Sequence, residues 1–167
     1  ATQAVDLPAV AMARGIGNSR AERELYLVAV GRMARTTLRL AVAGLEKNSA
    51  QLTPEERAIG WANVALAASI VLAPEAHAYW DRANGAPLSD FQMQWKTRMA
   101  LRRGDWKTVR ATIETMPPAL RADSTWVYWL GRAHQGEGRP AEARAQWQSI
   151  AGQTTFYTQL AQEELGN

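Results

Sequence analysis

The residues able to do acid, base or nucleophile chemistry are few in this sequence, and their spacing argues against catalysis. Two adjacent carboxylate pairs, Glu55 with Glu56 and Glu163 with Glu164, come nearest to the paired acids that hydrolytic reactions use. Neighbouring residues on a helix point about 100° apart, so neither pair can address one substrate atom. They read as capping and surface residues. His77 and His134 have no Asp or Ser partner at a telling spacing and read as satisfied polar side chains. There is no cysteine, no glycine-rich phosphate loop and no His-Glu-x-x-His. Two imidazoles without a thiolate make a poor zinc donor set. The sequence therefore predicts no catalytic residue, no cofactor and no metal.

The tryptophans offer a different chemistry, because the apolar face of a sugar ring suits an aromatic ring. Trp126, Trp129, Trp147, Phe156 and Tyr157 are candidates for such a platform. Trp61, Trp95 and Trp129, however, recur every 34 residues, and a periodic large residue in a repeat reads as a core knob. Trp80, Trp106 and Trp126 fall outside that position and are the better candidates for a contact surface. Among the cations, Lys96, Arg98, Arg102, Arg103, Lys107 and Arg110 crowd one stretch. This reads first as a solvated face, with a patch for an anionic partner as the second reading. A net charge of +3, from 19 basic and 16 acidic residues, is too mild to imply nucleic acid.

Those side chains must be carried by helices. The period of 34 is the tetratricopeptide length. Stepping back from Trp61 lands on Leu27, and a second apolar position repeats at Leu45, Tyr79, Ile113 and Trp147. A small-to-medium residue recurs at Gly31, Ala65, Met99 and Ala133, where two helices of a hairpin would approach closely. The expected fold is all-α: a superhelix of about four tetratricopeptide-like hairpins plus a C-terminal helix, each hairpin touching its neighbours. At 167 residues and 47% hydrophobic, the chain can bury a substantial core. No apolar run reaches the length of a membrane span, since Val64 to Ala73 stops at Pro74.

Residues 1–19 read as irregular or a short helix near Leu7 to Ala13, residues 20–122 as the repeat superhelix, and residues 123–167 as a final hairpin and linker helix. Thr36 and Thr37 mark a break between two helices and an N-cap for the helix through Leu40 and Leu45. Thr53-Pro54-Glu55-Glu56 and Ser89-Asp90-Phe91-Gln92 are capping boxes, and Asp105 and Asp123 can cap the helices after them. Gly104 suits a left-handed helix end. The start Ala-Thr-Gln, with neither an initiator Met nor a signal-peptide pattern, reads as a processed or truncated product.

With these segments laid out, the chain resembles the soluble lytic murein transglycosylases of Gram-negative bacteria. Leu52 to Arg57, Gln94 to Trp106, Met116 to Arg121, Trp126 to Ala133 and the Phe-Tyr-Thr-Gln-Leu-Ala ending from Phe156 carry the likeness. It covers roughly residues 20 to 167. The resemblance implies a periplasmic protein whose helical superhelix forms a ring bearing a lysozyme-like catalytic domain. That domain cleaves the bond between N-acetylmuramic acid and N-acetylglucosamine, leaving a 1,6-anhydromuramoyl end. Its acid/base is a Glu followed by Ser, and this chain has no Glu-Ser dipeptide.

No catalytic residue therefore carries over, and the chain is expected to be an inert scaffold that guides glycan strands. Its implied partners are peptidoglycan strands, its own catalytic domain and other cell-wall proteins, with neither nucleic acid nor a membrane span. Arg98, Arg102, Arg103 and Arg132 are the expected contacts to peptide-stem carboxylates, with Trp80, Trp106 and Trp126 beside them. The competing reading is a tetratricopeptide-like groove that holds a partner's peptide.

Overall fold

A computed structural model describes residues 7–166, with Thr2 and Ala4 ahead of them; residues 1, 3, 5, 6 and 167, which include part of the expected irregular segment, lie outside the described residues. The helices are α1 (Pro8–Ala13), α2 (Arg20–Thr36), α3 (Leu38–Asn48), α4 (Pro54–Ile70), α5 (Ala76–Arg82), α6 (Asp90–Arg103), α7 (Trp106–Thr115), α8 (Pro118–Arg121), α9 (Ser124–Gly136), α10 (Pro140–Ile150) and α11 (Phe156–Leu165), with a 3-10 turn at Ser49–Gln51. No strand occurs among the described residues. The expected all-α fold is what forms, with α2 packed on α3, α4 on α5 and α9 on α10, and a terminal α11.

Local chemistry sets the boundaries. Thr53 Oγ1 accepts from the Glu56 N–H while the Glu56 carboxylate accepts from the Thr53 N–H, and Pro54 fills the first helical position of α4. Ser89 and Gln92 close the same reciprocal pair at α6. Asp105 and Asp123 accept from Thr108 and Thr125. Ser19 and Glu22 form a further capping box at α2. The break at Thr37 is real, but its side chain caps nothing; a φ of −140° turns the chain there, and Thr36 Oγ1 instead donates to the Met33 carbonyl. Gly104 takes the left-handed φ of +67° after α6.

The chain divides into two compact units, residues 1–96 and 97–167. In the first, α2 packs on α3 and α4, and α4 on α5. Its core joins Leu27, Val30, Ala41, Leu45, Trp61, Val64 and Trp80. Trp61 is the knob its period predicts: Tyr79 stacks 5.9 Å from it, and the Arg82 guanidinium lies 3.5 Å over its ring. In the second unit, α9 packs against α7, α10 and α11. Ile113 and Ala133 are fully buried, and Trp147 nearly so. Trp95 and Trp129 are half-buried, so the 34-residue knob position is sealed at Leu27 and Trp61 and left partly open at the two later tryptophans.

Candidate functional site

Each residue predicted to meet a ligand has a definite place, and the places differ. Trp80 and Trp126 are each 3% exposed and offer no ring face to solvent, which corrects the expectation of a contact surface. The reason for Trp80 is a buried polar partner: its indole N–H donates to Ser69 Oγ, which is itself buried. For Trp126 the cover includes Arg98, whose guanidinium stands 5.7 Å from the ring centroid. Trp106 is half-buried. One side of its indole lies where a Cβ on Gly136 would sit, and the Arg132 guanidinium is 5.9 Å from its centroid.

The arginines separate in the same way. Arg132 is committed internally, to Glu164 at 3.3 Å and to the Tyr128 hydroxyl at 3.1 Å, so it is not a free cation for a ligand. Arg110, from the basic stretch, is paired with Glu137 at 2.6 Å and with Glu114 at 3.2 Å. The Arg110 guanidinium beside Glu137 holds that carboxyl below its ordinary range. Lys96 is half-buried, and desolvation pushes its ammonium below the ordinary lysine value, with Asp81 opposing. Arg102, Arg103 and Lys107 stay exposed.

Of the aromatic platform, Trp147 is inside, while Trp129 and Tyr157 are half-buried and Phe156 is 66% exposed. Phe156 meets Tyr157 edge-on at 5.2 Å. His77 Nδ1 lies 2.8 Å from the Pro74 carbonyl, as a satisfied histidine should. His134 differs from expectation: it is 8% exposed, and its Nδ1 has no hydrogen-bond partner among the described residues. Among the described residues, no group of three or more His, Asp or Glu could hold a metal, and no helix is long and apolar enough to cross a membrane.

Sequence reasoning missed a groove in the first unit. It has a volume of about 380 Å³ and runs between α2 and α4, with Phe91 of α6 at its edge. Arg23 and Glu56, both near the starts of their helices, are ion-paired at 2.9 Å, and the groove takes Arg35 and Ile70 from the far ends, so α2 and α4 run in the same direction. Each contributes positions at i, i+3, i+4 and i+7: Val28, Gly31, Arg32 and Arg35 from α2, and Asn63, Leu66, Ala67 and Ile70 from α4. A signal existed in those two stripes, but they are joined only by a contact between helices of different hairpins. A second groove of about 430 Å³ lies along the N-terminal turns of the same helices. There Arg20 pairs with Glu24 and Arg23 with Glu56, so its arginines are already neutralised.

No protein-family model matches the sequence, and no curated protein sequence matches it significantly. Solved structures do. An inactive mutant of the lytic transglycosylase Slt from Pseudomonas aeruginosa is similar with a TM-score of 0.75 at 24% identity, over 98% of this chain and 28% of that one. The 70-kDa soluble lytic transglycosylase in complex with bulgecin A is similar with a TM-score of 0.71 at 22% identity, over 99% of this chain and 28% of that one. The likeness shows a shared fold along the whole chain, which spans little more than a quarter of the length of either protein.

Proposed function

We propose that this chain is the helical scaffold portion of a periplasmic lytic murein transglycosylase, serving peptidoglycan cleavage by confining glycan strands rather than by cutting them. The observation that supports this reading is the fold, matched over 98% and 99% of the chain to two lytic transglycosylases. In the proposed division, residues 20–122 are the repeat array and residues 123–167 the final hairpin and linker helix, with the chemistry supplied by a lysozyme-like domain. A scaffold contributes to rate by holding a substrate in register, which raises its effective concentration at a distant reactive centre. Glycan strands carry carboxylates on their peptide stems, and Arg102 and Arg103 are the exposed guanidinium pair suited to them. Phe156, with most of its ring in solvent, is the aromatic face suited to a sugar.

Co-sedimentation with insoluble peptidoglycan sacculi, alongside a digestion assay for anhydromuropeptides, tests the reading. The chain is expected to pellet with sacculi and release no product. Replacing both Arg102 and Arg103 by Ala is expected to weaken pelleting by about threefold, the scale of two exposed charge contacts. Absence of binding, or binding indifferent to that double replacement, removes the glycan-guiding role; product from the chain alone removes the non-catalytic one.

A further inference from the structure

The groove between α2 and α4 has the chemistry of a peptide site, and it does not depend on the glycan reading. Arg32 and Arg35 are exposed, lie one turn apart on α2 and have no hydrogen-bond or ion-pair partner among the described residues, unlike the compensated arginines of the neighbouring groove. The walls beside them are apolar and open to solvent, with Val28 42%, Ile70 43% and Phe91 53% exposed. Asn63 completes the donor set through a chain of bonds that fixes its orientation. The Ser89 N–H occupies Gln92 Oε1 at 3.0 Å, so Gln92 presents its Nε2 to Asn63 Oδ1 at 3.3 Å. Asn63 must then turn its own Nδ2 away from Gln92. That nitrogen lies 3.5 Å from where a Cβ on Gly31 would stand, so the glycine leaves the space beside it clear.

From this arrangement we infer that the groove binds an extended segment of a partner protein in which an acidic side chain stands next to an aliphatic or aromatic one. The two unpaired guanidiniums take the carboxylate. The Asn63 amide donates to a main-chain carbonyl of the segment, and the apolar side chain rests against Val28, Ile70 and Phe91. The two stripes span about 10 Å along their helices, the length of roughly three extended residues. Walls of this size favour a larger apolar group than the methyls of a cell-wall peptide, which selects a protein segment over peptidoglycan as the occupant.

A random heptapeptide library displayed on phage and panned against the 167-residue chain tests this, with enriched peptides then measured by fluorescence polarisation. Peptides pairing Asp or Glu with an adjacent large apolar residue are expected to be enriched. Their affinity should fall at least about tenfold in the double variant Arg32→Glu and Arg35→Glu, as it should when a charge-assisted contact is reversed. Gly31→Leu, which fills the groove without changing charge, should have the same effect, while circular dichroism confirms that both variants fold. Sacculus co-sedimentation should be unchanged by the Arg32/Arg35 reversal, which keeps this outcome separate from the glycan-guiding role. No enrichment, enriched peptides that bind the variants equally well, or loss on reversal seen only with a disaccharide-pentapeptide probe overturns the inference.

Discussion

The indole N–H of Trp80 donates to the Ser69 hydroxyl at 2.9 Å, and that hydroxyl donates in turn to the Ala65 carbonyl at 2.7 Å. Both side chains are shut away from water, Ser69 completely. Ser69→Ala leaves the indole N–H buried without an acceptor, which costs about 1–3 kcal/mol. The melting temperature should fall by about 2–4 °C for each of those kcal/mol. A thermal melt unchanged by the substitution would show that the indole finds another partner.

Gly131 of α9 lies directly against Trp147 of α10. A Cβ there would overlap the indole of Trp147, whose N–H donates to the Tyr128 carbonyl at 3.2 Å. Because Trp147 is only 2% exposed, it has nowhere to go. Gly131→Ala should therefore destabilise the chain by about 1–3 kcal/mol despite the better helix propensity of alanine. Denaturant titration gives the value, and a stabilised variant would contradict the close approach.

Glu56 links a cap to an ion pair. Its carboxyl is held below the ordinary range first by the Thr53 backbone N–H and further by Arg23, against an opposing effect of desolvation. A carboxyl depressed in the folded state contributes stability above its unfolded pKa, near about 4.3, and loses it as the pH falls through the lower folded value. Glu56→Gln removes that titration. The difference in melting temperature between the chain and this variant should be largest near neutral pH and shrink in acid; a constant difference would mean that the charge contributes nothing.

Leu72 follows α4 with φ at 56°, a region that disfavours a side chain, and it is 47% exposed. The Ala73 N–H closing on the Ala68 carbonyl at 2.8 Å requires that conformation. Leu72→Gly should stabilise the chain by about 1 kcal/mol, the part of the left-handed cost not lost to the greater freedom of unfolded glycine. A lower melting temperature would instead assign Leu72 a packing role that its exposure does not suggest.

What could be read from the sequence was local or periodic. The caps at Thr53, Ser89, Asp105 and Asp123 each need a reach of only two or three residues, and the 34-residue recurrence located Leu27, Trp61, Ile113 and Trp147 in the core. The sequence did not show which residues outside that register are covered. Trp80 is buried through Ser69 eleven residues earlier, and Arg132 is captured by Glu164 across 32 residues, pairings that no spacing rule announces. The groove was invisible for the same reason: Arg32, Arg35 and Asn63 share a surface only once two hairpins pack together.

The capped starts at Ser19, Thr53, Ser89 and Asp123 follow one another at intervals of 34, 36 and 34 residues. Each carries its own start signal within the stretch it opens. A segment cut from one cap to the next is thus a self-punctuated cassette, which can be copied or removed in whole units without parting any helix from the residue that begins it. A cut out of phase would strand a serine, threonine or aspartate on one side and the amides it satisfies on the other. The phase of the caps, more than the period itself, defines where such an array can change length.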